Sequence, residues 1–142
     1  MKILDVNLLL YALDSRSAHH ANARNFLDRV LNTDETVGLP WTVILGFLSM
    51  VTNARVFPQA LTSGQATAVL DAWLARPNVV ALEPGPEHWS IMRDLMRESG
   101  TAGSLVNDAH LAALAIERGA ELCSADADFG RYPRLRWVDP VR

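Results

Sequence analysis

Four aspartates in three distant stretches of the sequence carry the chemistry of metal ligands. They end a short apolar run, begin a helical pattern and alternate within CSADADFG: Asp5, Asp108, Asp126 and Asp128. Crowded carboxylates repel one another, and their pKa values rise unless a proton or a cation intervenes. Mg²⁺ and Mn²⁺ prefer such oxygen ligands, polarise phosphoryl oxygens and activate bound water. If the fold brings the acids together, they predict phosphodiester hydrolysis, and the absence of a His–Cys set argues against zinc.

Each acid by itself also has a simpler interpretation. Asp108 is favoured by the helix dipole if it lies in the first turn of a helix. Asp126 and Asp128 are typical turn residues. Asp5 is harder to dismiss, since an acid inside ILDVNLLL is expected to be at least half buried and to need a partner. The metal-site hypothesis therefore depends on how the fold arranges the chain.

Two neutral residues next to these acids are candidates for supporting roles. Asn7 is either an amide that holds a ligand carboxylate or a helix cap. Ser124 either donates its hydroxyl to a ligand carboxylate or only faces a neighbouring strand. The four histidines show no ligand spacing, so we expect them to be surface or packing residues.

The elements that must position these residues alternate between strand and helix patterns. Short apolar and β-branched runs predict strands at 2–6, 36–40, 78–84, 121–125 and 135–139. Apolar residues at helical spacing predict helices at 18–32, 41–54, 61–75, 86–99 and 107–119. The helix at 41–54 is apolar nearly all round and is expected to be buried. Candidate N-caps are Thr62, Ser63 and Asn107, and the loop SGTAGS (99–104) is expected to be flexible.

This alternation predicts an α/β fold with a mainly parallel central sheet that is covered by helices on both faces. Right-handed crossovers place the carboxyl ends of parallel strands at one edge, where ligands bind near the topological switch point. Asp5 and Asp126 follow strands at that edge, and Asp108 begins a helix there. We therefore expect these three acids to meet, within a single domain spanning residues 1–142.

Composition narrows the class of protein. The chain has 142 residues, of which 49% are hydrophobic and 20% charged, as in one globular domain. The single Cys123 excludes a disulfide framework and fits a reducing cytoplasm, and no apolar run is long enough to span a membrane. The net charge of −3 gives no general attraction to nucleic acid, although twelve of the thirteen basic residues are arginines, which suit phosphate contacts.

Three segments together resemble the PIN domain, and within it the VapC-type toxins of bacterial toxin–antitoxin pairs. These are ILDVNLLLYALD, LVNDAHLAALAIERGAEL and CSADADFGRYPRLRW, and the resemblance covers nearly the whole chain. It implies a three-layer α/β/α fold and a Mg²⁺- or Mn²⁺-dependent endoribonuclease that inhibits translation and growth. It also implies a homodimer, a small VapB-like antitoxin as partner and an RNA substrate, which in the family is commonly tRNA or rRNA, although mRNA stays open.

The resemblance assigns roles to the acids and exposes one departure. Asp5, Asp108 and Asp126 match the family's metal-binding aspartates, and Asp128 matches an additional catalytic acid. The family usually has a glutamate in the helix after the second strand, where this chain has Gly46. Either fewer carboxylates hold the metal, or Asp128 compensates, or the activity is weak. A PIN-like RNA-binding protein with little or no nuclease activity is therefore the alternative hypothesis.

Other classes fit less well. A haloacid-dehalogenase-like phosphatase needs Asp-x-Asp after its first strand, whereas this chain has Asp5-Val6-Asn7. A response-regulator receiver needs a lysine near its end, but the only lysine is Lys2. Candidate contacts to RNA phosphates are five arginines around the expected site: Arg16, Arg55, Arg131, Arg134 and Arg136.

Overall fold

The computed structural model describes residues 1–142 and contains one five-stranded sheet. Its strands are β1 (Lys2–Leu4), β2 (Val37–Pro40), β3 (Val79–Leu82), β4 (Glu121–Cys123) and β5 (Arg136–Val138). All neighbouring strands run parallel, in the order β3-β2-β1-β4-β5. The predicted α/β class and parallel sheet are confirmed.

Six helices connect the strands. They are α1 (Val6–Leu13), α2 (His20–Leu31), α3 (Trp41–Val51), α4 (Ser63–Leu74), α5 (His88–Ser99) and α6 (Val106–Glu117). The helix α1 packs on both α2 and α3, α3 packs on α4, and α5 packs on α6. Right-handed crossovers place these two groups on opposite faces of the sheet, because the chain moves outward from β1 to β3 and then returns to β4. The result is the three-layer arrangement.

The centre of the sheet forms the core of the molecule. Ile3 pairs with Gly38 on one side and with Leu122 on the other, and both side chains, Ile3 and Leu122, are fully buried. Gly38 is required by close packing, because a Cβ there would overlap the side chain of Leu82. One continuous cluster of 34 buried hydrophobic residues surrounds the sheet. None of the helices combines the length and apolar character needed to cross a bilayer.

Several local predictions are confirmed and others are wrong. Thr62 caps α4 through a complete capping box with Gln65. Asn107 is not a cap, since α6 begins one residue earlier at Val106. The helix α3 is not buried all round: Trp41 is 45% and Leu45 61% exposed, because only one face of α3 packs on the core.

The segment SGTAGS is also more ordered than the sequence suggests. Thr101 is buried and its hydroxyl is bonded on two sides, and Gly103–Leu105 form a short 3₁₀ turn that leads directly into α6. Gly100 and Gly103 have φ of 67° and 61°, which glycine adopts without strain. Small residues in this segment thus permit a tight connection into α6.

Candidate metal centre

The carboxylate of Asp5 caps a helix and is held by three donors. Its Oδ1 accepts a hydrogen bond of 2.7 Å from the Val6 backbone N–H at the start of α1. Its Oδ2 accepts from the Ser124 hydroxyl at 2.7 Å and from the Asn7 amide at 3.2 Å. Asp5 is 8% exposed, and burial raises its pKa, while the bonds from Ser124 and Val6 lower it. The expectation that this buried acid needs partners is confirmed.

Ser124 and Asn7 link the ends of β1 and β4. Ser124 is fully buried, and besides donating to Asp5 its Oγ accepts from the Asp126 backbone N–H at 3.0 Å and from Asn7 Nδ2 at 3.2 Å. The Asn7 Oδ1 accepts from the Ala125 backbone N–H at 3.3 Å. Asn7 is therefore the amide that holds a carboxylate, and the alternative of a helix cap is wrong, because Asp5 caps α1.

The carboxylates of Asp108, Asp126 and Asp128 form an acidic cluster. One oxygen atom from each lies within 4.8 Å of the others. Asp108 lies in the first turn of α6, as predicted. Asp126 caps the 3₁₀ turn Ala127–Arg131, and its Oδ1 accepts from the Asp128 backbone N–H at 2.9 Å. Asp126 is therefore a turn residue, and it also lies as close to other carboxylates as a metal ligand must.

This cluster differs from the predicted ligand set of Asp5, Asp108 and Asp126 in one member. Asp128 belongs to the cluster and Asp5 does not, although Asp5 lines the same cleft as Asp108 and Asp126. The physical reason is that the Val6 amide, Asn7 and Ser124 hold the Asp5 carboxylate at the end of its strand. Its Oδ1 accepts only one hydrogen bond and retains a lone pair for a cation.

The electrostatics of the cluster favour a cation. The pKa of Asp108 is raised to about 6, mainly by burial and also by the charges of Asp126, Asp5 and Asp128. The charge of Arg131 lowers this pKa, but it is the smallest of these influences. Ionised carboxylates at this distance cost free energy that a divalent ion would offset.

Of the predicted phosphate contacts, Arg131 lies next to the acids. Its Nη2 is 3.4 Å from Asp128 Oδ1, and its Nε donates to the Asp128 carbonyl at 3.0 Å. Arg16 pairs with Asp14 at 3.3 Å, beyond the end of α1 that points away from the carboxyl edge.

The remaining arginines do not line the acidic cleft. Arg136 begins β5, so it lies at the opposite edge of the sheet, where it donates to the Gly119 carbonyl. Arg55 is exposed in the turns after α3, and Arg134 is exposed before β5. The prediction that these residues surround the site is therefore wrong for Arg16 and Arg136, because their elements end at the other side of the sheet.

An open cleft of about 560 Å³ connects the acids with one side of α3. Gly46 lines this cleft together with Asp5, Asp108 and Asp126, so it faces the position where a fourth acid would act. A Cβ at Gly46 would meet only Val6 Cγ2, at 3.8 Å. The helix therefore has room for a side chain here, and the chain supplies none.

Sequence reasoning missed several other residues that line the cleft. They come from α3, from the 3₁₀ turn before α6 and from the first turn of α6: Thr42, Leu45, Met50, Ser104 and Asn107. A signal for Thr42 was present, because it follows the carboxyl end of β2 by two residues and must therefore lie near the same edge. No local pattern distinguishes the others.

The donor set fits a hard divalent cation. Every candidate ligand is a carboxylate oxygen, the donor that Mg²⁺ and Mn²⁺ prefer, and Cys123 is buried away from solvent. The electrostatics also fit a cation, because carboxylates this close repel one another unless a positive charge lies between them. Asp108, Asp126 and Asp128 can hold such an ion directly, and the lone pair of Asp5 lies in the same cleft.

These features define a doubly wound α/β domain with an acidic cleft at its topological switch point, which lies between β1 and β4. The model of the PIN domain family matches residues 2–135. The chain belongs to the PIN-domain family.

Relatives of similar length support this membership. VapC ribonuclease Mb2897 of Mycobacterium bovis is 43% identical over 141 residues, which cover 99% of this chain and 96% of that protein. Ribonuclease VapC37 of Mycobacterium tuberculosis is 41% identical over 140 residues, covering 99% and 97%. Ribonuclease VapC33 of the same organism is 40% identical over 142 residues, covering 100% and 99%. The predicted resemblance is confirmed.

Solved structures share the fold at low sequence identity. VapBC2 from Rickettsia felis, bound to a DNA fragment from its promoter, superposes with a TM-score of 0.71 at 20% identity, covering 96% of each chain. VapBC-1 from nontypeable Haemophilus influenzae gives 0.70 at 17% identity, covering 99% of this chain and 98% of that one.

Proposed function

We propose that this protein is a Mg²⁺- or Mn²⁺-dependent endoribonuclease that acts as the toxin of a VapBC-type pair. The observation that carries the proposal is the cluster of Asp108, Asp126 and Asp128 beside Asp5 in one open cleft. Relatives of about 40% identity are named VapC ribonucleases, which supports RNA as the substrate.

The residues of the site have different roles in the proposed hydrolysis. A bound divalent cation supplies polarisation of the scissile phosphate and activation of an attacking water. Asp108, Asp126 and Asp128 hold the cation, and Asp108, with its raised pKa, must lose its proton before it can do so. Ser124 and Asn7 hold Asp5 in one orientation. Arg131 lies at the rim of the acidic cluster, where its guanidinium group is placed to contact an RNA phosphate.

Metal-dependent cleavage by the purified protein tests the proposal. Asp126→Asn keeps the size of the side chain but removes its charge, so we expect the cleavage rate to fall at least about 100-fold, because each ligand carboxylate anchors the cation. Asp5→Ala should also lose activity. The matched control is Asp71→Asn, an exposed acid on α4. Cleavage that is independent of added Mn²⁺, or that survives Asp126→Asn, contradicts the proposal.

The proposed partners are a VapB-like antitoxin and a second copy of the chain. Several solved structures with this fold are described as VapBC or toxin–antitoxin complexes, which supports a small antitoxin partner. A translation block through tRNA or rRNA cleavage is the proposed cause of growth arrest. Sequencing of RNA ends after expression identifies the cleaved RNA, and coexpression of the neighbouring antitoxin frame should restore growth.

Gly46 is the observation behind a second candidate function. Because α3 supplies no acid to the cleft, the protein is alternatively a PIN-like RNA-binding protein with weak or no nuclease activity. A gel-shift assay with Mn²⁺ distinguishes the two. RNA that is retained but not cleaved at high protein concentration supports the alternative and contradicts the nuclease.

A further inference from the structure

A chain of three hydroxyl groups connects the two segments that carry the acidic cluster. Ser99 Oγ lies 2.5 Å from Thr101 Oγ1, which lies 3.0 Å from the hydroxyl oxygen of Tyr132. Ser99 ends α5, Thr101 lies just before the turn into α6, and Tyr132 follows the 3₁₀ turn that contains Asp128. Thr101 is 4% and Tyr132 2% exposed, so the bond between these two hydroxyls is buried.

The direction of the bonds follows from the last acceptor. Ser99 Oγ lies 2.6 Å from the Leu95 carbonyl, which can only accept, so Ser99 must donate there. The Ser99 oxygen then accepts from Thr101, which donates both its hydroxyl and, at 3.2 Å, its backbone N–H. The oxygen of Thr101 is left to accept from Tyr132. Every hydroxyl in the chain is satisfied in only this order.

The hydroxyl chain lies close in sequence to two of the three clustered acids, Asp108 and Asp128. Asp108 lies seven residues after Thr101, through the single 3₁₀ turn Gly103–Leu105. Asp128 lies four residues before Tyr132, in the turn capped by Asp126. The Thr101–Tyr132 contact therefore joins the segment that leads to Asp108 with the segment that follows Asp128. None of the three hydroxyls lines the acidic cleft itself.

We infer that Tyr132, Thr101 and Ser99 are positioning residues that set the spacing between Asp108 and the Asp126–Asp128 turn, and thereby the affinity of the site for a divalent cation. They touch neither the cation nor the RNA and act through the backbone of these two segments. This inference rests on the proposed metal-dependent function. It predicts that metal binding depends on hydroxyl groups outside the cleft.

Direct Mn²⁺ binding, followed by the loss of the free-Mn²⁺ electron paramagnetic resonance signal, tests the inference without an activity assay. Tyr132→Phe removes one donor and leaves the ring in place, and we expect Mn²⁺ to bind about tenfold more weakly. Thr101→Val breaks the chain at both sides and should weaken binding further. Thr101→Ser keeps the hydroxyl and should restore binding to within about twofold of the wild type.

A stability control separates positioning from general loosening of the fold. Thr62→Ala removes the capping box of α4, far from the acids, and lowers the melting temperature without changing the hydroxyl chain. Each variant is measured at the same interval below its own melting temperature. We expect Thr62→Ala to bind Mn²⁺ like the wild type, and hydrogen exchange in residues 100–106 to increase only in Tyr132→Phe and Thr101→Val.

The possible outcomes distinguish the inference from the function on which it rests. Equal Mn²⁺ affinity of Tyr132→Phe, Thr101→Val and the wild type overturns the inference and leaves the proposed function standing. Weakened binding in Thr62→Ala to the same extent also overturns it, since the effect then follows stability alone. A wild-type protein that binds no Mn²⁺ overturns both.

Discussion

At the scale of single residues, the site is built from groups that each serve the fold and the chemistry at once. Asp5 caps α1 and faces the cleft, and Asp126 caps a 3₁₀ turn and belongs to the acidic cluster. The same carboxylate can satisfy backbone N–H groups with one lone pair and hold a cation with another. Asp108 differs from Asp5 and Asp126, because no hydrogen-bond donor contacts its carboxylate and its pKa is raised to about 6.

The raised pKa of Asp108 predicts an unusual pH dependence of stability without metal. Because the folded state binds this proton more tightly than the unfolded state, the extra stability is fully present below about pH 4 and is lost as the pH rises through 6. Asp108→Asn should remove this contribution and raise the melting temperature of the metal-free protein at pH 7. Thermal melts in a chelating buffer at pH 5, 6 and 7 measure it. An unchanged melting temperature at pH 7 would contradict the assignment.

Mn²⁺ should reverse the effect of that substitution. The ion binds the ionised form of the wild type, so it should raise the melting temperature of the wild type more than that of Asp108→Asn. The wild-type gain should shrink as the pH falls below about 6, where protons compete with the ion for Asp108. Melts with and without Mn²⁺ across the same pH series provide the measurement.

Gly46 offers a test of what the missing side chain costs. Gly46→Ala should stabilise the protein by about 0.5–1 kcal/mol, since glycine is unfavourable inside a helix and a Cβ meets only Val6 here. Gly46→Glu adds a carboxylate to the cleft, so it should bind Mn²⁺ more tightly than Gly46→Gln, which has the same shape without the charge. Calorimetric titration compares the three variants. Equal affinities for Glu and Gln would show that position 46 does not reach the ion.

At the scale of elements, the ends of β1 and β4 and the start of α6 determine the site, and the contact between α5 and α6 supports it. His88 Nε2 lies 2.9 Å from His110 Nδ1, with the two rings at 75°. His88 is 8% exposed, and its Nδ1 has no hydrogen-bond partner. The expectation that these histidines are packing residues is confirmed for His88.

This histidine contact predicts sensitivity of α5 to acid. Burial lowers the pKa of both rings; for His88 the charge of Glu117 partly opposes this, and for His110 the neighbouring His88 adds to it. The stability linked to the neutral rings is present above pH 6.5 and is lost as the pH falls through their folded pKa values. His88→Leu, which cannot be protonated, should reduce the loss of α5 protection between pH 7 and pH 5.

Hydrogen exchange of the α5 amides at these two pH values provides the test. His19→Gln is the matched control, because His19 is exposed at the start of α2 and contacts neither α5 nor α6. Equal acid sensitivity in His88→Leu and the wild type would contradict the role of the pair. The pH dependence of stability expected from Asp108 has the opposite sign to that expected from the histidines. The double variant Asp108→Asn with His88→Leu should therefore lose both effects.

At the scale of the whole molecule, large apolar side chains remain on the surface. Trp41 and Leu45 lie one turn apart on α3, and Trp89 is 63% exposed at the start of α5. Such side chains on one helix face are typical of a surface that another protein covers. The proposed homodimer would explain why α3 is apolar nearly all round although half of it faces outward.

The dimer is tested by molar mass in solution. Light scattering should give twice the monomer mass of 15.6 kDa for the wild type. Leu45→Glu places a charge on the exposed face of α3 and should shift the mass to that of the monomer, without unfolding, because Leu45 is 61% exposed. Gln65→Glu on α4 controls for added charge. A dimer that persists in Leu45→Glu would show that another surface mediates it.

Much of the fold could be predicted from periodicity, and the errors share a cause. Alternating strand and helix patterns predict the sheet, and the caps of α4 and the position of Asp108 follow from local chemistry. The exposure of Trp41 and Leu45 could not be predicted, because an apolar pattern does not distinguish a core face from an interface. Arg16 and Arg136 were misplaced because proximity in sequence to the site elements says nothing about which edge of the sheet a residue reaches.

The sequence by itself determined the residue types of the site and the sheet edge to which they belong. Strand ends and helix starts are local, and right-handed crossovers leave little choice about where they meet. Only the tertiary structure decided which carboxylates approach one another, placing Asp128 in the cluster and holding Asp5 beside it through Ser124 and Asn7. The reason is physical: side-chain distances depend on hydrogen bonds between segments more than 100 residues apart, which no local pattern contains.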